Sequence, residues 1–259
     1  MMGYSIMRPS TDGSSKMSTS SFSPSGAALN GPARIPPNLK DYGSKTYSQN
    51  DEDGILAAIF AAIGTSSRCA VEFGIGPNYL DRDYANGLEG NTPLLRKQGW
   101  NVLMMDGGTH PPEFDIKQHF ITASNINTLF QLYNIPADVD LVSIDVDGQD
   151  YWIWKYLEWR PRVVMIEYNP NFHNIKQRLT VPYNESHVWD GTRYFGASYG
   201  AMVQLGHQKG YVPVYANGTN LFFVQRELVA NPNDFDAQAM MVTFEMHLVD
   251  PQGRPWVAP

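Results

Sequence analysis

From about residue 47 the chain alternates short apolar runs with amphipathic stretches. Ile55, Ile59 and Ile63 recur every four residues behind Ser48, a spacing that predicts a capped helix stopped by Gly64. Cys69 to Phe73, Trp100 to Met105, Leu141 to Ile144 and Val163 to Ile166 have the length and residue types of buried strands. Asn91-Thr92-Pro93 opens a helix closed by Gly99, with Pro93 placed where a missing N–H costs nothing. A further strand is weakly signalled within 114–121. Ser124 starts a helix bearing Ile126, Leu129, Phe130 and Tyr133 that ends near Pro136. Trp152, Trp154 and Leu157 mark another, and Ser198 to Lys209 a third, stopped by Gly210. Tyr211–Tyr215 and Thr219–Gln225 flank Asn217-Gly218, the strongest short hairpin signal. One more helix is expected around 235–247.

Strands separated by helices predict an α/β fold with a mainly parallel sheet, finished by an antiparallel hairpin. The flanks read differently. Residues 1–40 are rich in Ser, Pro and Gly with no sustained apolar period, so a disordered leader is expected there. A globular domain is expected over 41–228, and 229–259 forms an extension with no readable role. Within the domain, 171–197 is irregular, polar and aromatic. A long irregular stretch in a compact domain is more often functional than idle, which marks it as a loop or cap over a site.

Composition narrows the classes. Net charge is -7 and no dense Lys/Arg block occurs, against a nucleic-acid partner. No apolar run approaches the ~20 residues of a membrane span. One cysteine, Cys69, excludes a disulfide framework within the chain and a Cys-rich zinc site, and in a buried strand it reads as a small core residue. A cytoplasmic protein is expected. The Ser-rich, acid-poor leader also has the character of an organelle transit peptide, although Arg8, Lys16 and Arg34 give it only a thin basic face.

Chemistry gathers where the strands end. Ligands of open α/β sheets bind outside the carboxyl ends of the strands. Here those ends read Glu72-Phe73-Gly74-Ile75-Gly76, Asp106, Asp145-Val146-Asp147 and Glu167-Tyr168-Asn169. Glycines after the first strand let backbone approach a ligand, and an acid ending the second can accept hydrogen bonds from a ribose diol. Turn formation alone also uses Gly, Asp and Asn. A dinucleotide fingerprint fits poorly: the third glycine is missing, Pro77 follows Gly76, and Asp106 lies 30 residues beyond Gly76.

Val71-Glu72-Phe73-Gly74-Ile75-Gly76 resembles the first motif of class I S-adenosylmethionine-dependent methyltransferases. Within that superfamily the chain is similar to the FkbM-like group through Ser48-Gln49-Asn50-Asp51-Glu52-Asp53-Gly54, Asn91-Thr92-Pro93-Leu94-Leu95, Gly99-Trp100 and Ser143-Ile144-Asp145-Val146-Asp147-Gly148. The resemblance spans about 47–225. It implies a Rossmann-like class I methyltransferase fold, with a mainly parallel seven-stranded sheet, a C-terminal antiparallel hairpin and helices on both faces. It further implies O-methylation of a small hydroxylated acceptor such as a sugar or glycan unit, with S-adenosylmethionine as cofactor. An N-methyltransferase and a non-catalytic binding module that keeps the fold are the alternatives.

Carried onto this chain, the resemblance places Glu72, Phe73, Gly74 and Gly76 around the methionine part of the cofactor, Asp106 at the ribose, Ser124 by the adenine and Asp145 at the junction with the acceptor. An acceptor hydroxyl must lose a proton, and the candidate bases are Asp145, Asp147, His173 and His187. His173 is favoured because it closely follows Glu167-Tyr168-Asn169. Asp145, Glu167 and Asn169 supply the hard oxygens that Mg²⁺ prefers, a candidate metal set. Tyr183, His187, Trp189, Tyr194 and Phe195 could stack on a sugar or simply pack a cap; Trp152, Trp154 and Trp159 read as core.

Overall fold

The computed structural model describes residues 31–76, 88–244, 250 and 252–259. Seven strands among them form one sheet: β1 (Cys69–Phe73), β2 (Asn101–Asp106), β3 (Ile116–Gln118), β4 (Leu141–Ile144), β5 (Val163–Glu167), β6 (Tyr211–Ala216) and β7 (Asn220–Gln225). Their order is β3-β2-β1-β4-β5-β7-β6. The first five run parallel, and β7 is antiparallel to both β5 and β6. This is the Rossmann-like arrangement expected, a mainly parallel seven-stranded sheet closed by an antiparallel hairpin. The order reverses at β1, which leaves β2 on one side and β4 on the other, and a crevice opens above that point.

Six α-helices among the described residues surround the sheet: α1 (Glu52–Ile63), α2 (Pro93–Lys97), α3 (Ile126–Leu132), α4 (Asp150–Tyr156), α5 (Tyr199–Gln208) and α6 (Ala237–Met240). Successive strand residues point to opposite faces. Val71, Val142, Val164 and Phe223 meet Phe130 of α3, Trp154 of α4 and Met202 of α5 in one core. Ala70, Leu141, Met165 and Phe222 meet Ile55 and Ile59 of α1 and Leu95 of α2 in the other. Full burial of each large apolar side chain contributes roughly 1.5–3 kcal/mol, which is why the central strands are apolar on both faces until their carboxyl ends.

Local chemistry shifts several expected boundaries. Asp51 stands at the N-cap position of α1, but the Ser48 hydroxyl does accept the first-turn Asp53 N–H at 3.2 Å. Asp53 Oδ2 in turn accepts the Ser48 hydroxyl at 3.1 Å and the backbone N–H groups of Thr46, Tyr47 and Ser48. Serine and buried carboxylate together organise the approach to the helix. Asn125 rather than Ser124 stands at the N-cap of α3, while Ser198 does cap α5 through Ala201 N–H at 3.2 Å. The helix expected over 235–247 reduces to α6, four residues held by Asp236; 245–247 lie outside the described residues.

The flanks belong to the packed structure more than their composition suggests. Of the leader expected over 1–40, residues 1–30 lie outside the described residues, but 33–39 pack on the domain. Ile35 and Leu39, four residues apart, are fully buried beside α1, and Ala33 exchanges backbone hydrogen bonds of 2.9 Å with Leu228 and Ala230. Two apolar anchors and a strand-like bridge offset the ordering entropy that Ser and Gly alone could not. At the other end, Trp256 packs against Phe172 and Tyr194, and Val257 exchanges backbone bonds of 2.9 Å with Thr180. Arg254 pairs with Asp190 and Asp250, both at 2.8 Å. The C-terminal segment therefore straps the 171–197 loop from outside. No helix among the described residues is long and apolar enough to cross a membrane.

Candidate active site

A cleft of about 560 Å³ opens at the carboxyl ends of β1, β2 and β4. That size suits a small-molecule ligand. Gly74, Ile75 and Gly76 form its floor, Asp106 to His110 one wall, Phe120 to Thr122 another, and Val146, Asp147 and Gln149 the far side. Tyr183 to Glu185 and His187 to Trp189 roof it, so the irregular 171–197 stretch does reach over the crevice.

The glycine loop is shaped by the sheet itself. Gly74 has φ +81°, and a Cβ there would lie 1.1 Å from the carbonyl oxygen of Asp145. Glycine is needed for β1 to end against β4, whatever the cleft binds. Glu72 faces away from the cleft lining. Its carboxylate accepts the N–H groups of Asn91 at 2.7 Å and Thr92 at 2.9 Å, as well as the Thr92 hydroxyl, and burial pushes its pKa up. It anchors the chain where α2 begins. The Phe73 ring is buried in the core, and its carbonyl accepts from Asp145 N–H at 3.2 Å.

Asp106 ends β2 inside the cleft. Its Oδ1 accepts Gly108 N–H at 2.6 Å and contacts His110 Nε2 at 2.9 Å, which fixes the carboxylate's direction. Ser124 is exposed and bonded to Thr122 Oγ1 at 3.0 Å; Phe120, Ile121 and Thr122 line the cleft beside it.

Acids converge after β4 and β5. Oxygens of Asp145, Asp147 and Glu167 lie within 4.8 Å of one another. Burial pushes all three pKa values up, most strongly at Asp145 and Glu167; neighbouring carboxylates add to it, Asp150 and Asp147 at Asp145, Asp145 and Asp150 at Glu167, and Asp106 at Asp147. Asp150, fully buried, accepts Val146 N–H at 2.8 Å and Gly148 N–H at 3.0 Å, and so bends the chain that carries Asp147. Asp147 itself has φ +53°, and burial raises Asp150 to about 6. Glu167 Oε2 is buried without a hydrogen-bond partner among the described residues. Such an acid-rich, partly desolvated set is costly unless it meets a cation.

Asn169 does not join this set. It is fully buried and turned into the scaffold, donating to the carbonyls of Arg193 at 3.0 Å and Phe195 at 2.9 Å and accepting from Asn171 N–H and Nδ2. Its capacity is spent holding the 171–197 loop, and Asp147 takes the third position near Asp145 and Glu167. His173 is exposed and lines no part of the cleft; His187, from the same loop, does. The His187 ring packs on Gly148 and interacts with the Asp147 backbone. Its Nε2 has no hydrogen-bond partner among the described residues, and burial lowers its pKa, so the imidazole is neutral at pH 7. His110 entered no sequence pattern. An acid four residues before a histidine, just past a strand end, is the signal that could have drawn attention to it.

No protein-family model matches this chain, and no curated protein matches it. Among solved structures it is similar to the MycE methyltransferase from the mycinamycin biosynthetic pathway, solved with Mg, SAH and mycinamycin VI. The identity is 12% and the TM-score 0.36, over 69% of this chain and 59% of that one. The chain thus spans under two thirds of that protein's length, and the functional reading rests on the site's own residues.

Proposed function

We propose that this protein is an S-adenosylmethionine-dependent methyltransferase that O-methylates a small hydroxylated acceptor, of the sugar or glycan class. The observation that carries this reading is the sign of the cleft. Asp106, Asp147 and Glu185 line it, and no Lys or Arg is among the described residues that do. A dinucleotide would bring a pyrophosphate into a field that repels it. A sulfonium and an ammonium suit that field.

When bound, the cofactor supplies an electrophilic methyl group. Asp106 would accept from the ribose hydroxyls, with the Gly74–Gly76 backbone at the methionine part and Phe120 to Thr122 at the adenine. Asp145, just behind the cleft-lining Val146 and Asp147, would stand near the junction with the acceptor. Cleft-lining Asp147 and His187 are the candidate bases for the acceptor's hydroxyl proton, a role that their place favours over exposed His173. In-line displacement depends chiefly on positioning, and the Tyr183 and Trp189 rings on the roof hold the acceptor by stacking. Asp145, Asp147 and Glu167 have the hard-oxygen chemistry to hold Mg²⁺, which would acidify an acceptor hydroxyl.

Calorimetric titration with S-adenosylmethionine and S-adenosylhomocysteine, with NAD as control, tests the reading. Binding of the first two with Kd on the order of micromolar, weakened at least about tenfold by Asp106→Ala, is expected. NAD binding, or none by the folded protein, would replace it with the nucleotide-enzyme or binding-module alternatives.

A further inference from the structure

We propose that Asn220, fixed in place by Glu52, presents a fourth oxygen to a divalent-cation site formed with Asp145, Asp147 and Glu167; the inference rests on the metal-holding part of the reading above. Strand alternation puts the groups together. Glu167 and Asn220 are direct register partners across the antiparallel β5–β7 pair, so their side chains leave the sheet on the same face. It is the α1 face, because Met165 and Phe222, two residues along each strand, lie in the α1 core. Directly opposed residues in such a pair have Cβ atoms about 4.5–5.5 Å apart.

The orientation of the Asn220 amide follows from its partner. Asn220 Nδ2 donates to Glu52 Oε1 at 3.1 Å, and Asn217 Nδ2 donates to the same oxygen at 2.7 Å. Glu52 is fully buried at the start of α1, and its other oxygen accepts Asn50 N–H at 2.7 Å. Glu52 already accepts from Asn50 N–H and Asn217 Nδ2, and the Asn220 amide nitrogen faces the same carboxylate, so the amide oxygen faces away. Asn220 is 2% exposed, yet that oxygen has no hydrogen-bond partner among the described residues.

Buried polar atoms without partners are rare, and here two stand on adjacent strands: Asn220 Oδ1 and Glu167 Oε2. Asn220 Oδ1 can only accept, and so can Glu167 Oε2 once that acid is ionised; one cation satisfies both and favours the ionised acid. An amide oxygen beside three carboxylates is a donor set that Mg²⁺, Mn²⁺ or Ca²⁺ takes. Glu52 then acts as a positioning residue: it holds the amide with its oxygen turned away from Glu52, on the sheet face that Asn220 shares with Glu167, and ties the site to the Asp51–Gly54 stretch.

The test is titration of the full chain with Mn²⁺, followed by the electron paramagnetic resonance of the free ion, with thermal unfolding and S-adenosylmethionine affinity measured on each sample. Wild type is expected to bind Mn²⁺, and Asn220→Ala to bind it about tenfold to a hundredfold more weakly, with cofactor affinity changed less than about twofold. Should the alanine variant not fold, isosteric Asn220→Asp decides: it should bind Mn²⁺ more tightly and gain more in melting temperature from the ion than wild type does. Mn²⁺ affinity unchanged in either folded variant, or no Mn²⁺ binding by wild type, overturns the proposal. Cofactor binding without Mn²⁺ binding would remove this inference and leave the methyltransferase reading standing; Mn²⁺ binding without cofactor binding would do the reverse.

Discussion

The His187 ring occupies the space that a side chain on Gly148 would fill: a Cβ built there lies 2.3 Å from Nε2 and 2.5 Å from Cδ2. A glycine on the β4–α4 turn thus seats a histidine from the roof of the cleft. Gly148→Ala should push the ring out and cut methyl transfer by at least about tenfold, while cofactor affinity changes little. In a double-mutant cycle with His187→Ala, measured as turnover, the two losses should be strongly non-additive, with a coupling of about 0.5–3 kcal/mol. Additive losses would mean that the contact is incidental.

Gly74 behaves differently. From the sequence alone, Gly74→Val looks like a change that blocks the cofactor and spares the fold. The structure puts that Cβ into the Asp145 carbonyl at a φ of +81°. Even Gly74→Ala should lower unfolding free energy by at least about 2 kcal/mol in urea titration. Lost cofactor binding in such a variant would report on the sheet, so Asp106→Ala is the better probe of the site.

Stability of the ligand-free protein should rise as pH falls toward and through about 6, where Asp150 takes up its proton. Asp145 and Glu167 have folded pKa values well above their unfolded ones, and Asp150 is raised to about 6. A raised acid binds protons more tightly in the folded state, so its unfavourable contribution is present above the folded pKa and fades as pH falls through it. Below about 6.5 the trend weakens, because His187 and His207 have lowered pKa values and oppose it once the unfolded histidines protonate. Melting temperatures across this range would show the slope, and Asp145→Asn should flatten it. Saturating Mg²⁺ should stabilise the protein more at pH 8 than at pH 6, since it competes with those same protons.

Asp140 supplies a control far from the chemistry. It is fully buried at the opposite end of β4, accepts from Ser66 N–H at 2.8 Å and Arg68 N–H at 2.7 Å, and forms an ion pair with the Arg162 guanidinium, Nε lying 3.0 Å away. Asp140→Ala leaves Arg162 without its buried counter-charge and should cost about 3–5 kcal/mol in denaturant. Cofactor affinity of the folded fraction should stay within about twofold of wild type.

The order of strands, the helices between them and the closing hairpin were all legible in the chain, because period and turn residues are local signals. Asp106 was legible for the same reason: a strand-end acid lines the crevice wherever the loops go. What escaped was decided by distant neighbours. Asn169 has the right chemistry for a metal, but its four bonds go to Arg193, Phe195 and Asn171. His173 follows β5 closely, yet the loop must travel on to residue 187 before it folds back over Gly148. Asn220 reads as an ordinary hairpin residue until β7 pairs with β5 and sets it opposite Glu167. Ile35 and Leu39 were hidden in a stretch whose Ser, Pro and Gly content masked two anchors.

The strap formed by residues 254–257 has a consequence for anyone who redesigns acceptor choice. Trp256 sits edge-on between Phe172 and Tyr194, while Arg254 clamps Asp190 and Val257 pairs with Thr180. The roof of the cleft and this distant piece of chain therefore form one exchangeable cassette. A loop graft that replaced 171–197 alone would leave Trp256 and Arg254 without their seats, so both pieces must be transplanted together.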